Sequence, residues 1–325
     1  MKEYKISEME TPGMVQGFYI IKSISVRKAK NGSFFADLKL SDKTGEINAK
    51  IWDASESAES QFGSGSLVKA RGDLSLWKGS LQFTIKKIRK ATEEDGIDME
   101  DFVQSAPESF ESMYGEVVSY LEGIVDQDIK RLAGYLLEKA KDKLSYYPAA
   151  KSNHHAIRCG LLYHTLTMLR VGEKVASVYE RIDKDLLYAG VIVHDLAKTV
   201  EMESDEMGIV SDYTREGKLL GHIIQGITDI EKAGEILDTP KETVLLLKHM
   251  VLSHHYEPEF GSPRKPMIPE AELLHYLDMI DARMYDFFNN LDKTEDGEFT
   301  ERVWTLDNRQ IYKRTVKNGG DNNEK

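Results

Sequence analysis

Tyr188-Ala-Gly-Val-Ile-Val-His-Asp-Leu-Ala-Lys198 is an apolar run that ends in neighbouring imidazole and carboxylate donors, His194 and Asp195. A buried helix ending in such a pair suits a metal centre. Further donors lie outward from it: His164 in Gly160-Leu-Leu-Tyr-His164, His222 in Leu220-Gly-His222, His254 and His255 in Leu252-Ser-His-His255, and Asp278 in Leu277-Asp278. The separations are 30 residues from His164 to His194, 27 from Asp195 to His222, 32 from His222 to His254 and 24 from there to Asp278. These gaps are too long for local chelation. They fit ligands carried by successive antiparallel helices packed about one centre.

A single histidine on an apolar helix face is more commonly a hydrogen-bonded core residue than a ligand. Recurrence of the pattern at helix ends favours ligation for His164, His194, Asp195, His222, His254, His255 and Asp278, whereas His249 and His275 lack it and read as structural. A carboxylate able to bridge, flanked by several imidazoles, suits two divalent cations that activate a water near neutral pH. Phosphoester hydrolysis is the natural use of such a centre. Asp195 is the expected bridge. Lys198, one helical turn beyond His194, is placed to stabilise charge on a phosphate. His154, His155 and Arg158 precede the His164 helix and are assigned to the substrate cleft. Arg264 and Lys265, in Gly261-Ser-Pro-Arg-Lys-Pro266, are candidates to hold a substrate backbone, with an ordinary solvated loop as the equal alternative. Imidazole-rich ligation favours Mn2+, Co2+ or Fe2+ over Mg2+, with Mn2+ the first choice and Mg2+ left open.

The first ninety residues read differently. Short alternating segments at Gly17–Lys22, Phe34–Leu40, Glu46–Trp52, Leu67–Gly72 and Leu81–Lys86 are separated by Lys30-Asn-Gly32, Asp42-Lys-Thr-Gly45 and Lys78-Gly79. Five period-two strands fit an OB-fold barrel, whose usual ligand is single-stranded nucleic acid. Its aromatic candidates are Phe34, Phe35, Trp52, Trp77 and Phe83, some of which alternation must turn into the barrel. Phe35 and Trp77, with Lys50 and Lys78, are the preferred contacts.

The ordered set His164, His194-Asp195 and Asp278 resembles the signature of the HD phosphohydrolase superfamily. The strings Asn153-His-His-Ala-Ile-Arg-Cys-Gly-Leu-Leu-Tyr-His164, His249-Met-Val-Leu-Ser-His-His255 and Leu274-His-Tyr-Leu-Asp-Met-Ile-Asp-Ala-Arg-Met284 are similar to one branch, the YhaM-type 3′–5′ exoribonucleases. The resemblance spans nearly the whole chain. It implies an OB-fold coupled to an HD domain and metal-dependent removal of nucleotides from the 3′ end of RNA, commonly supported by manganese. Ala197 stands where that family usually has Gly, and Cys159 occupies a small-residue position before Gly160.

At 325 residues the chain is long enough for two domains. The expected architecture is α+β and multidomain: an OB-fold domain at 1–90, an acidic linker at 91–112, an all-α HD-type domain at 113–317 and a disordered tail at 318–325. The net charge of −12 divides unevenly. Residues 1–90 carry 16 basic against 10 acidic side chains, leaving 27 against 45 for the remainder. A basic barrel suits a phosphate backbone. One cysteine, Cys159, excludes an intrachain disulfide. No apolar stretch is long enough for a membrane span, and the start has no signal-peptide character, so a cytoplasmic location is expected. The expected partner is single-stranded RNA, with single-stranded DNA and homo-oligomerisation left open. The rival activities are phosphohydrolysis of free nucleotides, cyclic-nucleotide phosphodiesterase activity, and non-catalytic nucleic-acid binding.

Overall fold

In a computed structural model, residues 2–10, 12–29, 32–77, 80–97, 102–151 and 155–315 are described, the side chains of Trp77 and Ser80 excepted. Lys78, His154 and the expected disordered tail lie outside the described residues. The same holds for the side chain of Trp77.

The alternation of the N-terminal segment closes a barrel from β1 (Gly13–Lys28), β2 (Phe34–Asp42), β3 (Gly45–Trp52), β4 (Leu67–Trp77) and β5 (Ser80–Lys90), in the order β1-β2-β3-β5-β4. Tyr19, Leu38, Leu40, Val68, Ala70 and Phe83 fill its interior. Phe83 is fully buried, so it is a core residue and not a contact for nucleic acid. A short helix, α1 (Ala58–Phe62), stops one end of the barrel with Ala58 and Phe62.

The second domain is built from α2 (Phe110–Glu122), α3 (Gln127–Leu144), α4 (Gly160–Val178), α5 (Lys184–Val193), α6 (Lys198–Glu201), α7 (Arg215–Leu237), α8 (Lys241–Ser253) and α9 (Pro269–Leu291). A two-stranded ribbon, β6 (Met202–Ser204) with β7 (Val210–Tyr213), interrupts the helices. Helix α2 starts inside the segment expected as a linker. The Ser109 side chain accepts a hydrogen bond from the Ser112 backbone N–H and caps that first turn. The rest of the segment is not a free connector where it is described. Phe102 and Val103 pack with Phe18, Ile20, Leu67, Met207 and Ile209, an apolar seam that joins the barrel to the helices.

Small residues let the histidine-bearing helices approach. A Cβ on Gly190 of α5 would lie 2.2 Å from Met250 Cε of α8. One on Gly226 of α7 would lie 3.6 Å from the Cβ of Ala197. Ala197 itself has φ −69° and ψ −10°, a right-handed conformation that needs no glycine. The departure at this position therefore imposes no backbone strain.

Candidate metal centre

His194 and His254 occupy equivalent places, each capping the C-terminal end of a helix, α5 and α8. The last carbonyls of a helix lack intrahelical partners, and each imidazole supplies one through Nδ1–H. His194 Nδ1 donates to Val191 O at 2.8 Å, and His254 Nδ1 donates to Val251 O at 2.7 Å. A carbonyl can only accept, so Nδ1 carries the proton and Nε2 keeps its lone pair. Both helices also turn the negative ends of their dipoles toward this point, which favours a cation there.

The remaining imidazoles are fixed by the same logic. Gly221, with φ 70°, breaks α7 immediately before His222. Glu201 Oε1 then accepts from the His222 backbone N–H at 3.0 Å and lies 3.2 Å from its Nδ1. His255 Nδ1 donates to Phe260 O at 2.6 Å, which ties the 257–267 loop to the site. His164, in α4, donates through Nδ1 to Asp281 Oδ2 at 2.7 Å. The same carboxylate oxygen accepts from His155 Nε2 at 2.7 Å.

Asp195 lies at the middle of these rings. Its Oδ2 is 3.3 Å from His194 Nε2 and 3.9 Å from His164 Nε2, while Oδ1 is 3.4 Å from His222 Nε2 and 3.7 Å from His254 Nε2. Asp278 Oδ1 adds an oxygen 3.4 Å from His164 Nε2. Two donor sets result: His164, His194 and Asp195, and Asp195, His222, His254 and His255, each with its donor atoms within 4.8 Å of one another. The inward Nε2 atoms of His194, His222 and His254 and the Asp195 Oδ1 are buried without a hydrogen-bond partner among the described residues. Buried polar atoms so placed in two converging sets fit two divalent cations sharing one carboxylate.

The electrostatics agree with ligation. Burial pushes His254 well below the ordinary imidazole range, assisted by His255, and burial with His222 lowers His255. Both are therefore neutral and able to donate a lone pair. Burial alone would raise Asp195, but Lys198 and His194 outweigh it and hold the carboxylate well below its usual range. Asp278 is likewise held down by His164 and His194 against its burial. Lys198 Nζ sits 2.6 Å from Asp195 Oδ2, with 12% of its side chain exposed.

The assignments to substrate fare differently. His155 is 1% exposed and bonded to Asp281, so it lies behind the His164 imidazole and not on an exposed surface. Its rank in the site follows from the tight turn before α4, where a Cβ on Gly160 would come within 2.0 Å of His155 O and Cys159 takes φ 59°. Burial raises the Cys159 thiol, and its Sγ donates to Ser145 O. Arg158 belongs to the junction between domains: its backbone bonds Gln104 and Ala106, and its Nε donates to Glu206 O at 3.2 Å. Lys265 lies 3.3 Å from Glu257 and over the Tyr256 ring, and Arg264 is exposed in the same loop. His249 Nε2 accepts from Met267 N–H, and His275 Nδ1 donates to His254 O, both in supporting positions. Asp281 and Glu201, which hydrogen-bond His164 and His222, have no place among the residues expected from the sequence. Their signal was an acid at i+3 from Asp278 and one at i+3 from Lys198, which is ordinary helix-surface spacing.

On the barrel, the register pairs Phe35 with Trp52 and Asp37 with Lys50. The Phe35 and Trp52 rings are 5.8 Å apart, with Lys50 Nζ 4.7 Å and 4.8 Å from the two ring centres and 3.0 Å from Asp37. Trp52 is 57% exposed. It, and not a buried position, is the aromatic partner of Phe35 on the outer face.

Two family models match this chain in tandem. The OB-fold nucleic acid binding domain matches residues 20–91, and the HD domain matches residues 161–283. Among solved structures, a replication protein A heterotrimer bound to ssDNA is 21% identical, with 26% of this chain and 62% of that chain covered and a TM-score of 0.21. The chain thus spans less than two thirds of that relative's length. The second OB-fold domain of replication protein A from Methanococcus maripaludis is 22% identical over 27% of this chain and 94% of that chain, with a TM-score of 0.21. A mitochondrial single-stranded DNA binding protein from S. cerevisiae is 13% identical over 25% of this chain and 98% of that chain, with a TM-score of 0.22. No helix among the described residues is long and apolar enough to cross a membrane. The chain joins a closed five-stranded barrel that matches the OB-fold model to a helical domain that matches the HD model.

Proposed function

We propose that this protein is a metal-dependent 3′–5′ exonuclease that hydrolyses single-stranded RNA to nucleoside 5′-monophosphates, as its resemblance to the YhaM-type enzymes implies. The observation that carries the reading is Asp195, whose two oxygens face separate imidazole sets. His164, His194 and Asp278 would hold one cation and His222, His254 and His255 the other, with Asp195 shared. When bound, divalent cations, with Mn2+ preferred for an imidazole-rich set, supply Lewis acidity and activate water at neutral pH. In the reaction a water oxygen bonds to the phosphorus of the terminal phosphodiester, the P–O3′ bond breaks, and the released O3′ takes up a proton. Lys198, whose Nζ lies 2.6 Å from Asp195 Oδ2, offsets charge on the phosphate.

The Phe35, Trp52 and Lys50 surface supports a polymer substrate over a free or cyclic nucleotide, because stacked rings beside a cation suit successive bases of a strand. The deciding experiment incubates the full chain and Mn2+ with 5′-labelled single-stranded RNA. The expected product is a ladder shortened from the 3′ end. Intact RNA accompanied by rapid turnover of nucleoside triphosphate or cyclic nucleotide would overturn the assignment.

A further inference from the structure

Away from the Phe35–Trp52 surface, β4 and β5 gather a second set of cations. Their antiparallel register sets Lys69 opposite Arg89 and Arg71 opposite Lys87, so four positive side chains occupy two rungs on either side of the Ala70–Ile88 pair. Like charges placed directly opposite destabilise a ladder. A bulge opposite Arg71 and Gly72 adds Lys86 to the same stretch, leaving two consecutive lysines exposed. Lys69 is offset by Glu3 at 2.9 Å, Arg89 by Asp95 at 2.6 Å, and Lys86 by Asp73. Arg71 turns toward Met14 Sδ at 3.2 Å, and neither it nor Lys87 forms an ion pair among the described residues.

These cations do not lie on a flat face. They line an open groove of about 610 Å³ together with Ile51, Phe62 and Ile88. Among the described residues, Asp53 is the single carboxylate lining it, against five cations. Ile51 and Asp53, which flank Trp52 in the chain, also line the groove. Rungs two residues apart space the cations by about 6.8 Å along the strands, commensurate with successive phosphates of an extended chain.

We infer that this groove is a phosphate-binding track that takes the backbone of a single strand whose bases stack on Phe35 and Trp52. The inference rests on the proposed action on single-stranded RNA. A repeating anion relieves the repulsion between the rungs, whereas one small phosphate would meet only one of them. The track lengthens the strand held by the barrel and adds salt-dependent affinity without base preference.

The test compares the full chain with an Arg71→Gln/Lys87→Gln variant, both positions being exposed, and with a Lys232→Gln/Lys241→Gln control of equal charge change on the helical domain. Anisotropy titrations of labelled RNA across a salt series give the slope of log affinity against log salt. The groove variant is expected to bind a long strand more weakly, with a slope shallower by about 1.4, two contacts at roughly 0.7 each. A dinucleotide should be hydrolysed at the unaltered rate by all three proteins. An unchanged slope in the groove variant, or an equal change in the control, overturns the track. A shallower slope in a protein that hydrolyses no RNA supports the track while sinking the exonuclease reading.

Discussion

Asp281 Oδ2 stands 2.7 Å from His164 Nδ1, which fixes the imidazole so that its Nε2 faces Asp195 and Asp278. The same oxygen also accepts from His155, so one carboxylate links the turn before α4 to the His164 imidazole inside it. Carboxylates that orient ligating imidazoles contribute to metal affinity without touching the metal.

Asp281→Ala should therefore lower divalent-metal affinity about 10–100-fold while the helical domain stays folded. Asp281→Asn, which keeps one acceptor, should recover part of the loss. Mn2+ titration of the folded variants, with circular dichroism as the check on structure, measures this directly. Unaltered metal affinity in Asp281→Ala would show that the bridge orients nothing.

Asp195→Asn should abolish hydrolysis and reduce metal content in both donor sets, because each set uses one of its oxygens. RNA affinity should stay near normal, since the barrel face is separate. His249→Ala and His275→Ala should keep turnover, as neither directs a nitrogen toward Asp195. Metal analysis of each purified protein separates lost ligation from lost folding, and full activity in Asp195→Asn would refute the shared-carboxylate centre.

Trp52→Ala should weaken binding of single-stranded RNA by about 1–3 kcal/mol, the range for one stacked base. Hydrolysis of a dinucleotide should be unchanged. The measurement is affinity at fixed salt, and equal affinity would remove the Phe35–Trp52 face from the substrate path.

The barrel carries an acid-sensitive link. Burial would raise Glu46, yet the ammonium groups of Lys22 and Lys39 outweigh it and lower the carboxyl to about 2. Its folded pKa lies below the unfolded value of about 4.3. The stabilisation is therefore present above that value and lost as pH falls toward 2. Glu46→Gln should be less stable than the unaltered chain at neutral pH, with the difference shrinking across that window. Thermal melts at a series of pH values test it, and a difference independent of pH would be inconsistent with the ion pairs.

The sequence by itself determined the order of barrel and helical domain and most of the side chains that converge on Asp195. Alternation over Phe34–Leu40 and Glu46–Trp52 encodes which side chains turn inward, because the β period of two is local. The apolar run into His194-Asp195 encodes a helix end with two donors for the same reason. Tertiary structure decided what crosses between elements. Only packing of α4 against α9 brings Asp281 to His164, and only the kink at Gly221 carries His222 onto Glu201. It also moved His155 from a presumed cleft to the interior and showed that Ser109, read as part of a connector, caps a helix. Strand register made Trp52 the neighbour of Phe35 and put Arg71 across from Lys87, pairings that depend on how separate strands align and so leave no local signature.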